Sequence, residues 1–433
     1  MEHSPGYTKT SLKYILFILF VGIGGFAYSQ TGPPNDSLKI QKPGENFRGQ
    51  FDVGDLIRDV LHPKKKANAS HNKSGITVVP NVAANPTIGA QGGIKAVAGK
   101  KLGGDPHTLF SVAATSASIT TKGIISFYIN HNVFTPGNKW NFQGSLVVAK
   151  AVTPDNGLGI GLKYSGGGPD SVLADPTHKL YTIHSIYYTL REKVYKHVAK
   201  NLFVGAGLSY EIRESIKNAD TANDATPSSV YNNEHGFPQS RYTTAGFLFN
   251  VEYTTRDNPN RAYHGVYFDA GVRINQTWIG STRNSAQVTS DFRKYFSLSE
   301  TSPEFVLAFW NWGSYLIGGS IPYLELPGTG KDGSFRSGRG YTTQYFKGTQ
   351  FNDTEGELRF PLLSNKFISG VVFGSLQTGN DEHGTRIFQV FQPGYGAGLR
   401  VLFNKTTRTN LALDYAYGRF GNKGFFLNLN EAF

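Results

Sequence analysis

Apolar and polar side chains alternate along most of this chain, from about residue 76 onward. The runs 243–253, 266–275 and 395–403 show this period of two, which is typical of β-strands with one apolar face. In the second run Asp269 and Arg273 stand in mid-strand, opposite the apolar face. Because a buried charge without a partner is costly, such positions fit a wet interior better than the dry core of a sandwich. The pattern favours a barrel with lipid outside and a polar lumen inside.

The last two runs, 410–418 and 424–433, alternate most regularly. Phe425, Leu429 and Phe433 share one face of the final run, and the opposite face is small or polar. An apolar face that carries aromatic rings is typical of a strand that contacts lipid. We therefore expect Phe425 and Phe433 on the lipid-facing side of a terminal strand.

Sixteen alternating runs can be separated by their turn residues, an even count as expected for a single-chain bacterial barrel. They are 88–98, 107–118, 122–133, 139–151, 157–165, 182–194, 201–214, 241–255, 265–278, 287–297, 304–316, 355–363, 366–377, 393–403, 409–419 and 423–433. The long connections are 166–181, 215–240, 279–286, 317–354 and 378–392. The sequence predicts an all-β fold, a sixteen-stranded antiparallel transmembrane β-barrel over 76–433, with its long loops extracellular and both of its ends periplasmic.

The segment 1–29 is predicted to be a secretory signal peptide. Two lysines precede the apolar run 14–26, and Ala27 and Ser29 supply small residues at the two positions that signal peptidase reads. The run is shorter than the roughly 20 residues of a helical span. We therefore expect cleavage before Gln30, export, and a mature protein in the cell outer membrane of a Gram-negative bacterium.

Residues 30–75 are predicted to form a periplasmic leader with a short amphipathic helix over 51–61. Apolar side chains recur there at helical spacing, Asp52 and Asp55 lie near the start, and Pro63 follows the end. The sequence names no partner for this helix.

Composition fits a barrel of this kind. Aromatic residues make up 13% of the 433 residues and Cys is absent, while the mean hydropathy is only −0.31. A formal net charge of +12 suggests nucleic acid as a partner, but the densest basic run is Lys64 to Lys66 and no nucleic-acid module is recognisable. Contact with outer-membrane lipid and lipopolysaccharide accounts for the charge as well.

Signals for catalysis and cofactors are weak. The glycines of 157–161 alternate as in a strand, and no Ser or Thr follows Lys331 as a phosphate-binding loop requires. The histidines show no metal-ligand spacing, and no Gly-x-Ser-x-Gly elbow is present. The sequence therefore predicts no cofactor, no metal site and no enzymatic activity.

Three segments together resemble the BamA/TamA-like outer-membrane barrel superfamily, also called bacterial surface antigens. The first is Arg256-Asp257-Asn258-Pro259, preceded by Tyr-Thr-Thr, in place of the family's Tyr-Asp-Thr-Arg-Asp-Asn-Pro turn. The second is Gly338-Arg339-Gly340-Tyr341, similar to the family's Val-Arg-Gly-Phe/Tyr loop. The third combines Glu357-Leu-Arg-Phe-Pro, Val-Phe-Gly-Ser375 and the ending Asn-Glu-Ala-Phe433.

The resemblance implies that the loop 317–354 folds into the lumen and that Arg339, between Gly338 and Gly340, reaches an acid on the wall. Where the family usually carries that acid, this chain has Ser375. We expect Glu357, or Glu355 beside it, to take its place. Tyr341 belongs to the same motif.

The sequence is compatible with two functions. In the first, the barrel assists insertion or translocation of outer-membrane proteins, or of lipid, through a weakly paired seam between the strands 88–98 and 423–433. In the second, it is a porin-like or structural barrel with a plugged pore. The resemblance also implies periplasmic POTRA domains, for which too few residues precede the barrel, so we expect a POTRA-less branch. Client outer-membrane proteins or a periplasmic partner are the expected protein partners.

Overall fold

The computed structural model describes residues 50–56, 76–105, 108–160, 181–218, 226–381, 384–405 and 407–433. The predicted signal peptide and most of the predicted leader lie outside these residues. The strands are β1 Thr77–Pro80, β2 Ala83–Asn85, β3 Gly89–Lys101, β4 Phe110–Thr120, β5 Ile125–Phe134, β6 Trp140–Asp155, β7 Tyr181–Ala199, β8 Leu202–Asn218, β9 Tyr242–Thr254, β10 Gly265–Asn275, β11 Ser285–Ser297, β12 Val306–Gly319, β13 Gln350–Pro361, β14 Ile368–Gly379, β15 Gln392–Asn404, β16 Thr409–Gly418 and β17 Lys423–Leu429.

These strands form a closed antiparallel barrel of sixteen strands, as the alternation predicts. Each strand from β3 to β17 pairs with its neighbours in chain order, and β17 returns to β2. The short strands β1 and β2 act as one barrel strand, because Pro80 lies opposite Ile94 and Ala83 lies opposite Gln91 in a continuous register on β3.

Two strand assignments from the sequence are wrong. The run 157–165 does not form a strand in its described part: Gly157 and Gly159 have positive φ, which breaks an extended strand, and residues 161–165 lie outside the described residues. The run 88–98 lies in β3, the second barrel strand, and not at the seam. Pro80 interrupts the true first strand and Pro86 follows directly after its end, and proline weakens any strand signal.

Connections after alternate strands emerge at the same end of an antiparallel barrel, so all five long connections share one end. One of them carries a short helix, α1 (Pro227–Glu234), which Thr226 caps by accepting a hydrogen bond from the Ser229 N–H. In the described part of the chain, no helix has the length and apolar content for a membrane span.

The start of the predicted helix 51–61 docks on the barrel itself. Residues 53–56 are helical, and the Asp55 N–H donates to the Asp52 side chain at 2.9 Å. At the barrel end opposite the long loops, Lys405 forms an ion pair with Asp55 at 2.6 Å. The ring of Phe51 packs edge-on against Phe367. The described part of the helix thus contacts the short turns of the barrel.

Candidate functional site

The connection between β12 and β13, residues 320–349 (the inward loop), runs through the lumen. Its side chains Tyr323, Leu326 and Phe346 are fully buried. The loop also pairs with itself, because the Gln344 N–H donates to the Thr329 carbonyl at 2.7 Å. The barrel interior is therefore filled by its own loop at this level.

Arg339 of the inward loop inserts into a cluster of three carboxylates on the wall, the acidic wall cluster Glu355, Glu357 and Asp414. Its guanidinium donates to all three, to Asp414 at 2.7 Å. It also stacks 3.5 Å from the ring centre of Phe373. Burial alone would lower the pKa of Arg339, but the three carboxylates raise it well above its ordinary value. The arginine is therefore permanently charged and held by a fork that lysine lacks.

The two glycines beside Arg339 are required by close approach and by backbone conformation. Both have positive φ, 72° at Gly338 and 105° at Gly340. A Cβ at Gly338 would lie 2.6 Å from the Gln377 side chain, and one at Gly340 would lie 2.7 Å from the Tyr417 carbonyl oxygen. Only glycine meets both conditions, so the loop can lie against the wall.

The sequence predicts Glu357 or Glu355 for this role, and Asp414 was not predicted. Alternation along β16 places Asp414 on the lumen face, so its orientation could be predicted from the sequence. Its pairing with Arg339 could not. Ser375, on β14 opposite Glu355, does not hydrogen-bond to Arg339; its hydroxyl donates weakly to the Gly394 carbonyl at 3.5 Å.

Tyr341 fixes the same stretch of loop to the strands β15 and β16. Its hydroxyl donates to the Pro393 carbonyl at 2.5 Å and accepts from the Arg419 N–H at 2.8 Å. A Cβ at Gly418 would lie 2.6 Å from the Tyr341 ring. Burial raises the pKa of Tyr341 to about 12, so the hydroxyl keeps its proton at neutral pH.

The terminal strand ends earlier than predicted, at Leu429, and residues 430–433 (the tail) turn into the lumen. Asn430 has a φ of 70°, a conformation that Asn tolerates. Phe433 is 6% exposed and packs 5.2 Å from the ring of Trp310, so its predicted lipid-facing position is wrong. Phe425 is 59% exposed and lies on the outward face of β17.

Four arginines hold the tail. Glu431 accepts from Arg400 and pairs with Arg261 at 3.2 Å. Arg359 donates to the Phe433 carbonyl at 2.9 Å. Arg336, from the inward loop, donates to the carbonyl groups of residues 429 and 431. The tail and the inward loop are thus one connected network.

The seam, the boundary between β1/β2 and β17, is the weakest contact in the ring. Leu427 opposite Ala84 is the one register pair between these strands in the described residues. Backbone groups alternate sides along a strand, and the Asn81 N–H bonds to β3, so Val78 and Pro80 direct theirs toward the seam. Pro80 has no N–H, and Val78 has no register partner on that side.

Comparison with known proteins identifies the fold. No protein-family model and no curated protein matches this chain. Among solved structures, BamA from Haemophilus ducreyi lacking POTRA domains 1–3 matches with a TM-score of 0.53 and 13% identity, over 83% of this chain and 70% of that chain. CdiB from Escherichia coli matches with a TM-score of 0.52 and 10% identity, over 84% of this chain and 63% of that chain. This chain has a barrel fold like that of BamA.

The turn motif of this BamA-like barrel, residues 256–258, has a structural role. It lies at the barrel end opposite the long loops and holds Arg261, which pairs with the tail. Asp257 pairs with Arg408 at 2.5 Å, which joins two turns at the barrel end opposite the long loops. The Asn258 side chain accepts from the Arg261 N–H at 3.1 Å, and Arg261 in turn reaches Glu431. Arg256 stacks 3.9 Å from the centre of the Tyr267 ring.

A further anchor of the inward loop lies across the BamA-like barrel from the seam. Glu325 accepts from Arg213 at 2.9 Å and from Tyr242 at 3.0 Å, and pairs with Lys331 at 3.4 Å. Burial alone would raise the pKa of Glu325, but Lys331 and Arg213 outweigh it and lower that pKa.

A last anchor joins the inward loop to the end of β6. Tyr323 donates to Asp155 at 2.6 Å, and Lys347 pairs with the same carboxylate at 3.5 Å. In the described ranges, no cluster of His, Asp and Glu is arranged to hold a metal ion.

Proposed function

We propose that this barrel assists insertion or translocation of outer-membrane proteins through its seam. The observation that carries the proposal is the single register pair, Leu427 opposite Ala84, that closes the ring. Every other neighbouring pair of barrel strands is joined over seven or more residues. The seam is therefore the place where the wall opens at the lowest cost in backbone hydrogen bonds.

The edge of β1 offers the client a binding surface. An edge strand with free N–H and C=O groups can add an extended strand from another chain, which pairs along the backbone and needs little sequence specificity. Pro80 limits the edge to a short stretch around Val78, and so protects it from indiscriminate pairing. The mechanism is non-covalent strand exchange in the outer membrane.

A second candidate, a plugged structural barrel, is favoured by a different observation. The inward loop is tied to the wall at Arg213, Asp155 and the acidic wall cluster, so it fills the lumen in this state. Such a barrel would need no opening of the seam.

A disulfide across the seam distinguishes the insertion or translocation function from the plugged structural barrel. Ala84→Cys with Leu427→Cys places two thiols on directly opposed residues in a chain that lacks Cys, and Ala412→Cys with Asn428→Cys does the same across the ordinary pair β16–β17. Cells depleted of the native protein receive either variant, and their outer-membrane proteins are quantified with and without reductant.

We expect the seam pair to reduce the outer-membrane protein content until reductant is added, and the control pair to have no effect. If the oxidised seam pair supports outer-membrane biogenesis as well as the control pair, the seam is structural and the plugged barrel becomes the function. A heat-modifiable gel shift verifies that both variants fold.

A further inference from the structure

The outward wall formed by β3 to β8 carries a groove of about 820 Å³. Its floor is apolar and faces away from the lumen. The outward side chains that line it are Ile94, Ile119, Ile125, Phe127, Val148 and Ile186. The first five are 36% to 65% exposed, and they form one contiguous apolar surface instead of isolated positions.

The strand register places these residues in two rows at one height. The upper row runs from Gly92 through Ile119, Ile125, Lys150 and Ile186 to Glu214. The Glu214 carboxylate is already paired with Arg241 at 3.6 Å. The lower row runs from Ile94 through Ala117 and Phe127 to Val148. Gly92 and Ala117 have almost no side chain, which recesses the surface between larger neighbours.

The upper row also marks a step in the wall. The hairpin β4–β5 ends just above Ile125, whereas β6, β7 and β8 continue for about five residues toward the long loops. The groove therefore lies just below the rim on the side of the long loops. In an outer-membrane barrel whose long loops are outside, this is the level at which an outer-leaflet headgroup meets the acyl chains.

Two lysines stand at the upper end of this groove. Lys150 lies in the upper row, and Lys217 lies opposite His184 one step higher. Both lysines are exposed, and neither forms an ion pair with a carboxylate in the described part of the chain. Paired cations above an apolar groove match an anionic headgroup above acyl chains.

We propose that this groove binds lipopolysaccharide, with its acyl chains on the two apolar rows and a phosphate of its lipid headgroup between Lys150 and Lys217. The proposal rests on the outer-membrane placement in the proposed function, with the long loops outside. Lipopolysaccharide occupies the outer leaflet and carries several acyl chains and more than one phosphate. A zwitterionic phospholipid would leave one lysine without a counter-charge.

The test compares charge reversal at the groove with charge reversal elsewhere at the same end. Lys150→Glu with Lys217→Glu removes the headgroup contacts, and Lys423→Glu, on an exposed lysine at the start of β17, is the matched control. A third variant, Ala117→Trp, fills the apolar recess and leaves both lysines in place. Each barrel is purified, and bound lipopolysaccharide is measured by native mass spectrometry and by titration in phosphatidylcholine nanodiscs.

We expect the double variant to bind lipopolysaccharide at least about tenfold more weakly, since each lysine near the surface contributes to anionic-lipid binding. Ala117→Trp should also weaken binding, and Lys423→Glu should leave it unchanged. Equal binding by all variants, or equal loss in the control, would overturn the site. So would unchanged affinity when lipopolysaccharide is replaced by phosphatidylglycerol, because the groove would then bind any anionic lipid. The seam disulfide experiment does not depend on any of these outcomes, so either proposal can fail alone.

Discussion

At the scale of single residues, Arg339 is notable because it forms ion pairs with three carboxylates. Removing it leaves Glu355 with no ion pair among the described residues, in a site that is 0% to 5% exposed, whereas Glu357 keeps Arg359 and Asp414 keeps Arg400. We expect Arg339→Ala to destabilise the barrel by about 3–5 kcal/mol, the range for breaking a buried ion pair. The measurement is the temperature at which the folded band disappears in a heat-modifiable gel.

Two controls accompany this variant. Arg386→Ala removes an exposed arginine from a long loop and should leave the transition unchanged. Arg339→Lys should recover only part of the loss, because an ammonium does not offer a planar fork to three carboxylates. A full recovery by lysine would show that charge alone, without the fork, holds the loop.

Glu325 makes the stability that the inward loop contributes to the barrel dependent on pH. Its pKa is lowered in the folded barrel, so its contribution to stability is present above the ordinary glutamate pKa of about 4.3 and is lost as the pH falls below it. We expect Glu325→Gln to destabilise the barrel by about 1–3 kcal/mol at pH 7. The difference from the native protein should shrink toward pH 3 in the same gel assay. Glu300→Gln, at an exposed position, is the control, and a difference that is constant with pH would contradict the assignment.

Among single residues, the sequence was most informative where backbone geometry restricts the residue type. The pair of glycines around Arg339 indicated a close approach, and the structure contains one. The carboxylate partners of Arg339 were harder to predict. Asp414 is 75 residues away along the chain, and it joins the acidic wall cluster only because the barrel closes. Ser375 was singled out by resemblance alone, and its hydroxyl bonds elsewhere.

At the scale of elements, the tail is the feature that alternation could not reveal. A period-two pattern over 424–433 predicts one straight strand, and Phe433 continues the apolar face set by Phe425. Glu431 has the same parity, however, and a charge on the lipid face of a barrel is costly. The positive φ of Asn430 turns this carboxylate toward Arg400 instead.

The tail should loosen when its carboxylate is neutralised. We expect Glu431→Gln to raise amide hydrogen exchange in 430–433 by at least about tenfold, because Arg400 and Arg261 lose their shared counter-charge. Exchange measured by mass spectrometry on the folded barrel tests this. Exchange in β16 serves as the internal control, and equal acceleration there would indicate global unfolding instead of release of the tail.

At the scale of the whole molecule, the fold was the most predictable property. Strand count, antiparallel order and the end that carries the long loops follow from alternation and loop length, which are local properties of the chain. The position of the seam did not follow, because β1 and β2 are short and contain or adjoin proline. The predicted count of sixteen is correct only because two errors cancel. The strand formed by β1 and β2 was missed, and the run 157–165 was wrongly predicted as a strand.

The filled lumen predicts a barrel that conducts little. Thr329 and Gln344 are joined by a backbone hydrogen bond, so residues 330–343 can be excised and replaced by two glycines without stretching the chain. We expect this variant to show a clear rise in single-channel conductance in planar bilayers, since Arg336, Arg339 and Tyr341 leave the pore. Removing the surface residues 387–389 is the control, and equal conductance in the two variants would mean that something other than the inward loop closes the pore.

The turned tail also affects which strand can pair with the β1 edge at the seam. Continued straight from the pair Leu427–Ala84, residues 431 and 433 would lie opposite Pro80 and Val78, completing the ring. That arrangement would expose Glu431 to hydrocarbon, at a cost that a strand with an apolar residue at this position does not incur. The barrel's own last strand is thus a poor competitor for the β1 edge. A strand with an apolar residue at that position would pair with the β1 edge at a lower cost, which is what the proposed strand exchange requires.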